Sequence, residues 1–224
     1  KRVIPLTKKV RGNDKEAKVM LALTERAIEL LREGKPARAL SRTDDEESVF
    51  RQLHLLTAKP VMYVCNVDED TAANGNALSE KVAEHAKAEG AVAVVISAAI
   101  EAEVAQLSDP AERAEFLESL GLEETGLTRV INAGYQLLGL ITFLTAGPKE
   151  SRAWTIPDGT KAAQAAGTIH TDFERGFICA ETIAYDDYIA CKGEQGAKDA
   201  GKMRQEGRDY VMKDGDVILF RFNV

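Results

Sequence analysis

The chain has 224 residues, 45% of them hydrophobic, with 6 prolines and a net charge of −7. That length suits one large or two small globular domains with real cores, and no apolar run approaches the roughly 20 residues that cross a membrane. Lys1-Arg2 opens no signal peptide, and Cys65, Cys179 and Cys191 are odd in number without metal-ligand spacing, so reduced cytosolic thiols are expected rather than a disulfide framework or a zinc module.

The charge is unevenly spread. Residues 1–38 hold eleven Lys and Arg against five Asp and Glu, a balance of +6 that leaves −13 on the rest. A basic arm on an acidic body suits a polyanionic partner, although a solvated helical face gives the same pattern.

Val3, Leu6 and Val10 repeat at helical spacing, and Arg11-Gly12-Asn13-Asp14 breaks the repeat. Asn13 and Glu16 then resemble a capping box. Met20, Leu23, Ala27, Leu30 and Leu31 continue one apolar stripe until Gly34 and Pro36 stop it. This predicts an antiparallel helical hairpin whose first helix starts without a cap at Lys1, as if cut from a longer helix. A third helix is predicted over 44–54, with acids in its first turn where the macrodipole favours them.

Residues 61–65 then read as a buried-type strand ending in Asn66-Val67-Asp68-Glu69. Asn74-Gly75-Asn76 caps a helix that closes at Gly90, and 91–96 is a second strand ending in Ser97-Ala98-Ala99. Strand, helix and strand at this spacing predict a right-handed parallel crossover, which delivers both polar loops to one edge, where α/β sheets bind ligands. Acidic helices are predicted over 101–107 and 110–120, and a last helix over 127–138. From 140 the pattern changes to short strands at 140–145, 151–156, 177–184 and 217–222. An Ala-rich helix ending at Gly167 and helical stretches at 188–191 and 197–203 lie between them. This predicts a compact α+β unit with a mixed sheet.

Asn66-x-x-Glu69 is similar to the base-reading Asn-Lys-x-Asp loop of GTPases, with Glu where Asp belongs. That Asp accepts from guanine N1–H and its exocyclic amine; adenine offers neither donor, so the longer Glu should weaken guanine selectivity. Asn66 can both donate to and accept from a purine edge. Ser97-Ala98 is similar to the Ser-Ala loop of the same proteins. Alone, N-x-x-E is also an ordinary strand-end loop. The near match to a phosphate loop, Gly196-Ala-Lys-Asp-Ala-Gly-Lys202, is followed by Met203, which lacks the hydroxyl that holds magnesium, and does not follow a strand. His54 and His85 fall in helical patterns. Thr168-Ile-His-Thr-Asp-Phe173 is either a docking feature or local capping of a turn at Thr171 or Asp172.

These residues resemble the Obg-like ATPase family, also called YchF, across essentially the whole chain. Gly12-Asn-Asp-Lys-Glu-Ala17, Leu53-His-Leu-Leu56-Thr57, Lys59-Pro60 and Asn66-Val-Asp-Glu69 resemble its helical arm and base-reading loop. Trp154-Thr-Ile156, Ala166-Gly167-Thr-Ile-His-Thr-Asp-Phe173, Gly176-Phe-Ile178, Ala180-Glu181, Gly201-Lys202, Tyr210-Val-Met-Lys-Asp-Gly-Asp216 and Phe220-Arg-Phe222 resemble its TGS domain. That β-grasp-like module is shared with threonyl-tRNA synthetases and stringent-response enzymes. The resemblance implies an α/β remnant of a P-loop NTPase domain with a helical coiled-coil arm, followed by an α+β TGS domain. The expected divisions are 1–57 for the arm, 58–139 for the second half of the nucleotide domain and 140–224 for the TGS domain.

The resemblance further implies ATP preferred over GTP and magnesium-dependent hydrolysis in the intact protein, with the phosphate-loop half outside this chain and the fragment inactive alone. Asn66, Val67 and Glu69 would face the purine, braced by Ser97 and Ala98. Expected partners are ATP and the ribosome, its large subunit foremost, or RNA, in the cytoplasm, with neither membrane nor DNA. RNA contacts are expected at Lys8, Lys9, Arg11, Lys15 and Lys18 of the arm, and at His170 and Asp172. The alternative is an RNA- or ribosome-binding module that hydrolyses nothing in this form.

Overall fold

A computed structural model describes residues 3–11, 14–148 and 150–223. The chain divides into two compact units, Lys1–Val130 and Ile131–Val224.

The first unit begins with helices α1, Val3–Arg11, and α2, Lys15–Arg32. Asp14 caps α2, its carboxylate accepting from the Ala17 N–H at 3.1 Å; Asn13, the expected cap, lies outside the described residues. Helix α3, Asp44–Arg51, starts at a reciprocal capping box between Thr43 and Glu46. Leu23 and Ala27 of α2 pack with Ala37, Leu40, Phe50 and Leu53 in one core. From Met20 to Leu30 the apolar stripe read from the sequence is the packed face, whereas Leu31 at its end is 40% exposed. The third helix stops earlier than the pattern predicts, at Arg51, because the chain reverses at His54, whose φ of +46° is left-handed. His54 belongs to that reversal and not to a helix.

Strands β1, Met62–Asn66, and β2, Val92–Ile96, then pair in parallel, Met62 opposite Val92 and Asn66 opposite Ile96. Between them runs α4, Ala77–Glu89. Asn76 caps it by accepting from the Leu78 and Ser79 N–H groups, both at 3.0 Å, and Gly90 ends it at φ +68°, a conformation that glycine adopts without a Cβ clash. Helices α5, Ala98–Val104, α6, Pro110–Ser119, and α7, Gly126–Leu138, follow. Ile100, Val104, Leu117 and Leu122 form a second core with Ala72. The division between the units falls within α7.

The second unit is a five-stranded mixed sheet. Its strands are β3, Leu140–Ala146, β4, Ser151–Pro157, β5, Phe177–Ala184, β6, Arg204–Glu206, and β7, Asp216–Phe222, in the order β4-β3-β7-β5-β6. Only β3 and β7 are parallel; the other pairs are antiparallel. Helices α8, Ala162–Ile169, and α9, Thr171–Arg175, supply Ala162, Ala165 and Ala166 to a core with Phe143, Ile156, Ala180, Met212, Ile218 and Phe220. Helix α8 continues past Gly167, where a Cβ would lie 2.6 Å from a Glu174 carboxylate oxygen; there glycine permits close packing and does not end the helix. Helices α10, Tyr185–Ala190, and α11, Glu194–Asp199, start three residues before the predicted stretches. The short edge strand β6 was not predicted, since Arg-Gln-Glu shows no apolar alternation.

Asp216 opens β7 at 2% exposure. It accepts from the Tyr210 hydroxyl at 2.8 Å and the Lys213 N–H at 3.0 Å, with the Arg204 guanidinium 3.7 Å away. Burial and the Asp216 carboxylate push the Tyr210 phenol up from 10.0 to about 12. The raised value means that the neutral phenol stabilises the fold fully below pH 10, a contribution lost as pH rises through about 12. Tyr210→Phe should lower stability at neutral pH by about 1–3 kcal/mol, because a buried acceptor loses its donor. In denaturation curves the gap between the two proteins should close as the phenol ionises.

Candidate functional site

The parallel β1–β2 pair brings both strand-end loops to one edge. The Val67 N–H donates to the Ile96 carbonyl at 2.9 Å, extending the ladder beyond β1 and burying Val67. Next to it, Asn66 Oδ1 accepts from the Ala98 N–H at 2.9 Å, across 32 residues of chain. One side-chain amide thus fastens the first loop to the second. With one Oδ1 lone pair engaged, the exposed Asn66 side chain keeps its Nδ2 hydrogens available to donate. Ser97 is 2% exposed, and its Oγ has no hydrogen-bond partner among the described residues.

Glu69 stands apart from this clasp. It starts a 3₁₀ turn, Glu69–Thr71, braced by the Thr71 N–H to the Asp68 carbonyl at 3.1 Å and the Thr71 hydroxyl to the same oxygen at 3.2 Å. Its side chain is exposed, and its carboxylate has no partner among the described residues. Behind the edge, both oxygens of Glu101 on α5 accept from the first N–H groups of α7, Gly126 at 2.6 Å and Leu127 at 3.1 Å. Gly126 packs against the end of β2, where a Cβ would meet Ile96 at 3.0 Å.

A second polar group was not foreseen. Glu89, at the end of α4, accepts from the Arg38 guanidinium at 2.5 Å and the Tyr63 hydroxyl at 3.1 Å, with His85 Nε2 at 3.5 Å. Desolvation raises its pKa, but Arg38 and Tyr63 outweigh this and hold the carboxyl below its ordinary range. The His85–Glu89 spacing is visible in sequence as an i,i+4 pair; Arg38, 51 residues away, carries no such signal.

In the first unit, Lys8 and Lys9 on α1 and Lys15 and Lys18 on α2 are exposed on either side of residues 12–13; the side chain of Arg11 lies outside the described residues. In the second unit, His170 caps α9, its Nδ1 accepting from the Asp172 N–H at 3.2 Å and lying 3.4 Å from the Asp172 carboxylate. Gly196 sits within α11, two residues in and not after a strand, where a Cβ would be 1.9 Å from the Cys191 carbonyl oxygen. The glycine at this near match to a phosphate loop therefore serves helix packing. Among the described residues no group of three His, Cys, Asp or Glu could hold a metal ion.

These features define an α/β protein with a parallel-strand loop edge in one unit and a mixed sheet in the other. The model of the YchF GTPase C-terminal domain, described as a protein of unknown function, matches residues 140–223. The ribosome-binding ATPase YchF of Escherichia coli O157:H7 is 55% identical over 217 residues, covering 97% of this chain and 59% of that protein. Its counterpart in Bacillus subtilis is 48% identical over 226 residues, covering 100% and 62%. The structure of the Schizosaccharomyces pombe YchF GTPase matches with a TM-score of 0.84 at 32% identity, over 98% of this chain and 60% of that one. Over essentially its whole length the chain is homologous to these YchF proteins, and it spans about three-fifths of their length.

The clasp is testable without any ligand. Asn66→Ala removes the acceptor for Ala98 and should destabilise the protein by about 1 kcal/mol, whereas Asn66→Asp keeps an acceptor and should lose less. Urea denaturation of the three proteins would separate these outcomes.

Proposed function

We propose that this chain carries the purine-reading edge and the partner-binding elements of an ATP-hydrolysing, ribosome-associated cytoplasmic protein. The observation that carries this reading is the Asn66–Ala98 hydrogen bond, which joins the two loops that resemble a base-reading pair. Asn66, Val67 and Glu69 would line the purine, with Ser97 and Ala98 holding the loop. Asn66 would donate through Nδ2 to a ring acceptor. Glu69, exposed and without a partner among the described residues, is one methylene longer than the Asp that accepts from guanine, and adenine needs no such acceptor. Residues 1–57 would act as the arm, 58–139 as the second half of the nucleotide domain, and 140–224 as a β-grasp-like TGS domain. The names of the bacterial relatives, ribosome-binding ATPases, support ATP and the ribosome as ligands. Triphosphate and magnesium chemistry is assigned to no residue of this chain.

Glu69→Asp, made in the protein at the length of its relatives, should move nucleotide preference toward GTP by about 1–2 kcal/mol, as expected for a recovered polar pair. Competition binding of ATP and GTP measures the ratio. An unchanged ratio would assign the choice to the loop backbone.

A second reading, an RNA- or ribosome-binding module without nucleotide turnover, is favoured by the absence of a phosphate-loop sequence in these 224 residues. Both readings need the same contact. Lys8, Lys9, Lys15 and Lys18, with Arg11 between them in sequence, would meet phosphates of ribosomal RNA, on the large subunit foremost. The surface around His170 and Asp172 would add a docking point. Lys8→Glu with Lys9→Glu should weaken co-sedimentation with ribosomes far more than Lys198→Glu with Lys202→Glu, and wild-type binding should fall steeply with salt through counterion release. Equal losses in the two pairs, or binding indifferent to salt, would point to a protein partner for the arm.

A further inference from the structure

A cavity of about 590 Å3 lies between α3 and the segment that doubles back from His54 toward Pro60. Three fixed cations line it, Arg42, Arg51 and Lys59, with His54 beside them, against the one carboxylate of Glu47. In a chain of net charge −7 this local excess of positive charge runs against the average.

The cations are organised. Glu47 Oε2 accepts from Arg42 Nε at 2.8 Å and Oε1 accepts from Arg51 Nε at 3.0 Å. These bonds, Arg42 foremost, hold the Glu47 carboxyl below its ordinary range. Arg42 is fixed further: its guanidinium lies 4.1 Å over the Phe50 ring, and Nη1 donates to the Leu40 carbonyl at 2.8 Å. Among the described residues the Arg51 side chain is engaged only through Nε, which leaves its terminal nitrogens to donate, and it is 78% exposed. The side chains of Lys59 and His54 are exposed and make no hydrogen bond or ion pair among the described residues. The left-handed backbone at His54 is disfavoured by about 1 kcal/mol for a residue with a Cβ, yet it turns the chain so that Lys59 faces the same opening as Arg51. The cations outweigh the partial negative charge of the α3 C-terminal carbonyls, about half an elementary charge. A guanidinium held by its Nε side with its terminal nitrogens free suits the oxygens of a phosphate.

We propose that this cavity is a subsite for the phosphate backbone of an RNA strand, with Arg51 and Lys59 as the donors and the Glu47–Arg42 pair orienting Arg51. Cations contributed by two segments to one open cavity fit a strand lying across it. The subsite rests on the RNA or ribosome reading above and adds a contact that does not depend on the lysines at the arm's bend.

The test is binding of the 224-residue chain to protein-free ribosomal RNA between about 50 and 300 mM salt, where each lost phosphate contact lowers the log–log salt slope by about 0.7–0.9. Arg51→Gln with Lys59→Gln should shrink the slope by about 1.4–1.8 and weaken binding about tenfold or more near 0.1 M salt, with an unchanged melting temperature. Lys59→Gln alone, at a side chain with no partner among the described residues, should show half the change in slope and covers the case in which the double variant is unstable. Arg51→Lys should keep most of the slope but lose affinity. Unchanged slopes in both Lys59→Gln and the double variant would overturn the subsite while leaving the arm's role standing. A wild-type chain that binds no RNA would overturn both. Weaker ribosome binding with unchanged affinity for bare RNA would assign the cavity to a ribosomal protein and overturn the proposal.

Discussion

The hydrogen bond from the Ala98 N–H to Asn66 Oδ1 links two loops that neither strand could hold alone. A parallel pair has no hairpin between its strands, so its register depends on the crossover and on whatever joins the strand ends. Here the crossover is α4, set at its start by Asn76 and at its end by Gly90. The ladder runs one residue past β1 through Val67 and is then fastened by Asn66. Everything at this edge follows from that order. Val67 is drawn inward, Ser97 is buried behind it, and Glu69 is displaced onto a separate turn in solvent. The same fastening uses one of the two lone pairs on Asn66 Oδ1 and leaves its Nδ2 hydrogens to donate.

A second constraint works through charge. The helices and the parallel strands belong to one compact unit, and the Arg38–Glu89–Tyr63 group ties the segment that follows α2 to α4 and β1 through a polar contact. Tyr63 lies on β1 three residues before Asn66, so the contact reaches the strand that carries the loop. Partly buried, doubly bonded carboxylates of this kind fix geometry more than they add stability. Glu47 between Arg42 and Arg51 repeats the arrangement at the end of α3.

Much of this was legible in the sequence where one local rule sufficed. The stripe from Met20 to Leu30, the caps at Asn76 and Gly90, and the strand ends at Asn66 and Ile96 are each set by residues within a turn of one another. The Asn66 and Ser97 loops could be paired because each ended a buried-type strand at crossover spacing. Failures came where tertiary contact overrode local pattern. The pattern at His54 predicts helix because a left-handed histidine has no sequence signature. Gly167 was read as a helix stop, although it serves the packing of Glu174. The strand at Arg204–Glu206 shows no alternation because β6 is a polar edge. Arg38 and Glu89 meet across 51 residues, and no periodicity reports that.

The strand order of the second unit bears on how it is made. Strand β7 is the last of the described strands along the chain, yet it occupies the middle of the sheet, parallel to β3 on one side and antiparallel to β5 on the other. Until it arrives, β3–β4 and β5–β6 are two separate two-stranded pieces with no shared ladder, and such pieces are marginal in water. Phe220, Ile218 and the Asp216–Tyr210 bond also enter with it. During synthesis this unit therefore has little to gain from folding early. Its sheet closes only after Asp216–Phe222 has emerged, so the final contacts are long-range and formed together. A nascent chain paused before Asp216 would expose both inner strand edges at once, which makes that interval the one most open to mispairing.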